Sequence, residues 1–293
     1  MHFFSLFISL LITAIWGFNF VAVKYCLHTI SPLMLCFFRF FLASIPLIFF
    51  IPPPKGKFSL VVLYGLIMFA LQFALLFLGL YLGMEAGLTS LLLQVQVFFS
   101  LFLGIFVLNE KIRSWNIVGC AISFLGIGIV LSHLDTRGTL LGFLPILGTA
   151  ACSSVGNLLS KKLGNVNSLS LVAWGSFIAW PVLLIFALLI DGPESVMCTF
   201  FEIEIDTWIG IGYITYLSTL FAYGAWSWLI THYPLRTITP FTLLTPVFAL
   251  LFASIFLDEV LALWKIFAAI LVLTGLAINL YGHHLLRIPP PLD

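Results

Sequence analysis

Residues 86–115 read AGLTSLLLQVQVFFSLFLGIFVLNEKIRSW, and residues 235–264 read LRTITPFTLLTPVFALLFASIFLDEVLALW. An offset of 149 positions lays the first on the second. Phe99 falls on Phe248, Leu108-Asn109-Glu110 on Leu257-Asp258-Glu259, and Trp115 on Trp264; just beyond, Gly126 meets Gly275 and Ile129 meets Ile278. Each stretch is an apolar run closed by a charged turn, and a run of about 20 apolar residues crosses a ~30 Å hydrocarbon core. Chance similarity between hydrophobic helices is the competing explanation, and two charged turns in register with Trp and Gly argue against it. A weaker echo sets Asn19 and Lys24 against Asn157 and Lys162.

The same ruler divides all 293 residues. It predicts ten spans: 3–24, 33–51, 58–82, 86–108, 115–132, 140–160, 168–190, 207–230, 238–257 and 263–283. Turn and breaker clusters separate them, among them Pro52-Pro53-Pro54-Lys55-Gly56 and Asp191-Gly192-Pro193. Only the connection 191–206 is long, with room for a short amphipathic piece. Barrel strands would alternate over ~10 residues, which these runs do not. The fold class is therefore an all-α membrane protein. Five helices, an odd number, separate the copies, so the second is upside down: two inverted five-helix repeats, 1–138 and 139–293, forming one integral membrane unit. Such repeats mark secondary transporters, with the substrate at mid-membrane where the halves meet.

Composition agrees. Of the residues 62% are apolar and only 8% charged, with a mean hydropathy of +1.21; soluble proteins carry about 25% charged residues. That excludes a water-soluble fold and a basic nucleic-acid surface, and it leaves the lipid bilayer as a partner. With the N-terminus inside, the inner segments hold Lys55, Lys57, Lys111, Arg113, Lys161, Lys162, Arg236 and Arg287. The outer ones hold only Lys24, Arg137 and Lys265, so both termini are predicted to be cytoplasmic.

A polar side chain in hydrocarbon is costly unless it faces a neighbour or a wet cavity. Trp16 and Asn19 share a face of helix one, and Ser153, Ser154, Asn157 and Ser160 share one of helix six. Gln96 and Ser100 do so on helix four, Thr242 and Thr245 on helix nine. Gln72 lies mid-span in helix three, and Tyr223 and Trp226 share a face of helix eight. The repeat sets Gln96 on Thr245 and Asn19 on Asn157, placing hydrogen-bonding groups at matching depths. The predicted substrate-binding set is thus Trp16, Asn19, Gln72, Gln96, Asn157, Tyr223, Trp226, Thr242 and Thr245. Cross-helix hydrogen bonding, worth about 0.6 kcal/mol a bond, is the alternative role; for Asn19, Gln72 and Gln96 the two stand level, and for the serines it is favoured. Gln94 points away from Gln96, and Gln96 is taken as the cavity side. Trp228, near a helix end, reads as an interface anchor.

Arg39 is the one basic residue well inside a span. It has three possible roles: snorkelling, bonding helix carbonyls, or meeting an anionic group of the cargo. Structural pinning is the expectation. Glu110 and Glu259 sit at turns near helix N-termini, where carboxylates are favoured; they too are read as structural charges. Gly79, Gly83 and Gly87, spaced by four, permit close helix contact, internally or in a dimer. The five cysteines read as small hydrophobes. No metal or cofactor motif is present, and none is expected.

Trp16-Gly17-Phe18-Asn19-Phe20, Arg39-Phe40 and the two Glu-x4-Trp turns followed by Gly resemble the EamA-type drug/metabolite transporters, over essentially the whole chain. The stretch Leu93-Gln94-Val95-Gln96-Val97-Phe98-Phe99 is similar to the branch that exports amino acids of the cysteine pathway. That resemblance implies a bacterial inner-membrane exporter of O-acetylserine, cysteine or related metabolites. Many members have a proline in span four; here Val97 stands opposite Pro246, so a helix kink is expected only in span nine. Without HExxH, GxSxG, paired mid-span acids or a filter loop, the rival readings of a membrane-embedded enzyme or a channel have little to stand on. The cavity is expected between helices 1, 3, 4, 6, 8 and 9. Its amides, hydroxyls and aromatics suit a small neutral or zwitterionic cargo; oligomeric state is left open.

Overall fold

A computed structural model describes residues 3–54, 57–108, 114–133, 139–164, 166–233, 238 and 241–285. Among these the secondary structure is all helical. We label α1 (Phe3–Cys26), α2 (Pro32–Ile48), α3 (58–81), α4 (86–108), α5 (Ser114–Ser132), α6 (Thr139–Leu163), α7 (Ser168–Ile190), α8 (205–232), α9 (Leu244–Phe256) and α10 (Leu263–Leu285). The long connection holds a short helix, Pro193–Glu202, as its composition suggested. By length and apolar composition, six described helices suffice to cross a membrane: α1, α3, α4, α5, α6 and α7. Shorter apolar helices are Pro32–Ile48, Leu244–Phe256 and Leu263–Asn279.

The helices pack in a pattern that largely survives exchanging each helix with the one five places on. α5 lies on α10, α2 on α7, and α4 on α9. The contacts of α1 with α9 and α8 recur as contacts of α6 with α4 and α3; those of α2 with α8 recur between α7 and α3. Close backbone approach at glycine supports the α5–α10 seam. A Cβ on Gly119 would lie 2.5 Å from the Gly275 carbonyl oxygen, and one on Gly126 would lie 2.8 Å from that of Ala268. The Ser123 hydroxyl donates to the Val272 carbonyl at 3.1 Å, between positions that are repeat equivalents. Trp115 covers Gly282, and Trp264 stacks on His133 with centroids 4.5 Å apart; each pair is the repeat image of the other.

Four local departures from ideal helix stand out. α3 widens to a π-helix over Gly65–Leu71 and α8 over Tyr213–Phe221, at corresponding places in the two halves. Such widened turns often accompany functional sites. α4 tightens to a 3₁₀ turn at Leu93–Val95, and the ninth span is interrupted at Leu243 before α9 begins. The second interruption follows from Pro246, which has no N–H for the Thr242 carbonyl. The first corrects the expectation of a kink in span nine alone. No proline causes it; here the Ser154 hydroxyl of α6 donates to the Gln96 carbonyl at 2.7 Å.

The glycine stripe is also corrected. Gly79 packs against Gly142 of α6 and Gly87 against Leu250 of α9, while Gly83 sits in the intervening turn at φ 101°. Gly79 and Gly87 serve separate internal contacts, and Gly83 is exposed.

The α5–α10 seam yields a test. Gly119→Ala drives a methyl into backbone and should destabilise the protein by about 1–3 kcal/mol. Gly128→Ala, on the same helix but facing open space, should be neutral or slightly stabilising. Thermal unfolding of both purified variants in detergent measures the difference.

Candidate functional site

The aromatic residues singled out in helices one and eight do meet. The Trp16 ring lies 5.6 Å from that of Tyr223 and 5.5 Å from that of Trp226. Its indole N–H donates to the Ser218 carbonyl at 3.3 Å, inside the π-helical stretch, where carbonyls depart from the regular i→i+4 ladder. Trp16, Tyr223 and Trp226 are all half-buried. One turn beyond Trp16, Asn19 is 6% exposed and its Oδ1 finds no hydrogen-bond partner among the described residues. Gln72 caps the end of the π-helix of α3, 9% exposed, with Oε1 likewise unpartnered.

Across the interface, Gln96 follows the 3₁₀ turn of α4 and is half-buried, as is Gln94. The hydroxyls of Ser100 and Thr245 are buried without described partners. Thr242 and Thr245 fall on either side of the Leu243 interruption, so they do not share one regular helix face as predicted. Asn157 is exposed, unlike its repeat equivalent Asn19. Ser153 and Ser154 bond backbone carbonyls of α6, and Ser154 also reaches α4, as cross-helix links. Trp228, exposed, packs against Phe4 and His232 rather than the aromatic cluster.

Arg39 is 2% exposed in the middle of α2. Its Nε donates to Thr219 Oγ1 at 3.1 Å, and that hydroxyl donates to the Ile214 carbonyl at 2.9 Å. The arginine thereby ties α2 to the widened turn of α8. Thr219, Ser218 and Phe73, which lies 4.3 Å beneath the guanidinium, were missed in the sequence. Only the adjacent Ser218-Thr219 pair inside an apolar span hinted at them.

One end of the bundle is fastened by charge. Asp258 adopts a left-handed conformation at φ 54°, which Asp tolerates better than bulkier residues, and the Glu259 N–H closes back on the Ala253 carbonyl at 3.3 Å. This turn aims the Glu259 carboxylate at the first turn of α4, where it accepts from the Ala86 and Gly87 N–H groups at 2.7 and 3.1 Å. Lys24 of α1 donates to the same carboxylate at 2.9 Å and to the Met84 carbonyl at 3.2 Å. Lys265 pairs with Glu85 beside it. Glu259 thus sits at a helix N-terminus, as expected, but at that of α4. Glu110 lies outside the described residues.

The contact of α1 with α3 lacks a comparable repeat image, α6 with α8, among the described residues. A separate cavity of about 660 Å3 lies between α4, α5 and α6, lined by apolar side chains such as Phe98, Phe102, Phe124 and Phe143. None of the predicted site residues lines it. Among the described residues no cluster of His, Cys, Asp or Glu is placed to hold a metal ion.

An all-helical, multi-pass membrane protein with polar groups gathered at broken and widened helices has the makings of a transporter. The chain belongs to the EamA-like transporter family, whose pattern matches residues 3–132 and again 140–281. It is 35% identical over 282 residues, 94% of each chain, to a protein of Escherichia coli K12 named "Probable amino-acid metabolite efflux pump". It is 34% identical over 288 residues, 96% of each chain, to a Salmonella typhimurium protein of the same name. One solved crystal structure superposes with a TM-score of 0.68 over 97% of this chain and 98% of the other, at 15% identity, a likeness of fold.

The closed end can be tested by a double-mutant cycle. Glu259→Gln leaves the Lys24 ammonium without its counter-charge and should cost about 1–3 kcal/mol. Lys24→Met with Glu259→Gln should cost less than the sum of the single changes, with thermal unfolding as the readout.

Proposed function

We propose that this protein is an inner-membrane secondary transporter that exports small zwitterionic metabolites, amino acids or derivatives of the cysteine pathway, by alternating access. The names of its relatives support the efflux direction and the cargo class. The double family match supports two halves, 1–138 and 139–293, of five helices each. In this reading the ten helices span the bilayer, the termini are cytoplasmic, and the Lys24–Glu259 end faces outward.

The observation that carries the mechanism is the closure at the Lys24–Glu259 end. Two halves with matching contacts allow two equivalent closures, one at each end. Here the Lys24–Glu259 end is closed, which suits an inward-open carrier. Cargo enters from the cytoplasm toward Trp16, Asn19, Gln72, Gln96, Tyr223, Trp226 and Thr245, and Asn157 and Thr242 lie on the approach. The interruptions of α4 and α9 and the widened turns of α3 and α8 supply the bending points.

Asn19→Leu and Gln96→Leu should each abolish flux of a labelled amino-acid panel in liposomes while leaving folded, monodisperse protein. Unpaired polar groups on the cargo cost about 1–3 kcal/mol each. Normal flux in both variants would remove them from the site.

No described carboxylate or histidine stands mid-span, and Glu85 is engaged by Lys265. We therefore expect facilitated diffusion. A pH gradient alone should give no uphill accumulation of a zwitterion. Accumulation abolished by Glu85→Gln would contradict this and make that carboxylate the coupling group.

A further inference from the structure

Arg39 is only half satisfied. Its Nε is bonded to Thr219, while Nη1, fully buried, has no hydrogen-bond partner among the described residues. No described carboxylate pairs with it; the described ion pairs, Lys24–Glu259 and Lys265–Glu85, lie at the closed end. Phe73, Phe40 and Phe77 surround the guanidinium, with centroids 4.3, 5.7 and 5.9 Å from Cζ. Arg39 is 2% exposed among them, so it does not reach water by snorkelling.

A buried cation lacking a counter-ion is strongly unfavourable, and a lone intramembrane arginine marks a place where an anion is met. Pinning α2 to α8 uses only Nε and does not require a charge. Tyr223 is an electrostatic neighbour of Arg39 and also touches Trp16. It links the surroundings of the guanidinium to the half-buried aromatic cluster of which it is part.

We propose that Arg39 is the carboxylate anchor of the transport site. The cargo's carboxylate takes the free Nη1 edge of the guanidinium. The planar fork matches a carboxylate better than an ammonium would. The carboxylate of the zwitterionic cargo is thereby the group that is recognised. This rests on the transport reading above and adds the group recognised.

The test compares O-acetyl-L-serine with its carboxamide in proteoliposomes containing the wild type, Arg39→Gln or Arg39→Lys. The wild type should favour the acid by about tenfold or more in KM, the scale of a hydrogen bond to a charged group. Arg39→Gln should erase that preference by raising the KM of the acid alone, and Arg39→Lys should retain part of it. A purely structural arginine predicts equal losses for acid and amide. Equal losses, or a preference that survives Arg39→Gln, overturn the proposal. Should Arg39→Gln fail to fold, Arg39→Lys decides: a reduced preference supports the anchor and an unchanged one overturns it. Wild-type carriage of acid and amide at equal KM overturns the anchor while leaving the transporter reading intact. Carriage of neither overturns both.

Discussion

The close approach of α5 and α10 is the constraint around which the rest is arranged. Lipid offers no hydrophobic drive between helices, so their association depends on intimate packing and internal hydrogen bonds. Gly119, Gly126 and Gly275 let two backbones touch, and Ser123 bonds across the contact. Because equivalent residues meet there, the seam behaves as an axis about which the remaining pairs repeat. Side chains at these glycines would separate the two halves and dissolve that correspondence.

Away from the seam the described parts of the two halves differ. Asn19 is buried where Asn157 is exposed. The α9–α10 turn locks onto α4 and α1 through one carboxylate that satisfies two helix N–H groups and one ammonium. Helix ends leave several N–H groups unpaired, so a carboxylate that can leave and return makes a reversible fastening. In our proposal, release of this end and closure of the opposite one form the transport cycle.

Much of the fold was legible from the sequence. The 149-residue offset set span five on span ten, and Ser123 and Val272, separated by that offset, are hydrogen-bonded; that the two helices pack on each other was not read from it. Glu259 was legible as a helix-terminal charge, although its partner helix was not, because a turn's aim depends on the left-handed Asp258. The Trp16–Tyr223–Trp226 cluster was half legible: helical spacing set Tyr223 and Trp226 on one face without saying what faced them. The π-helical turns were invisible, since Gly65–Leu71 and Tyr213–Phe221 carry no proline or other breaker sequence. The interruption of α4 was hidden for the same reason. Arg39 drew attention as a charge in hydrocarbon, but its free edge depends on Thr219 and Phe73, which only tertiary packing brings to it.

Paired-label distance measurements by pulsed electron resonance test the central claim of two alternating closures most directly. Labels at Tyr25 and Val260 report on the Lys24–Glu259 end, and labels at Leu163 and Lys111 occupy the repeat-equivalent positions. In liposomes with and without an amino-acid substrate, the account predicts opposed changes: as the first distance lengthens, the second shortens. Two distances that stay fixed, or that lengthen together, would contradict it.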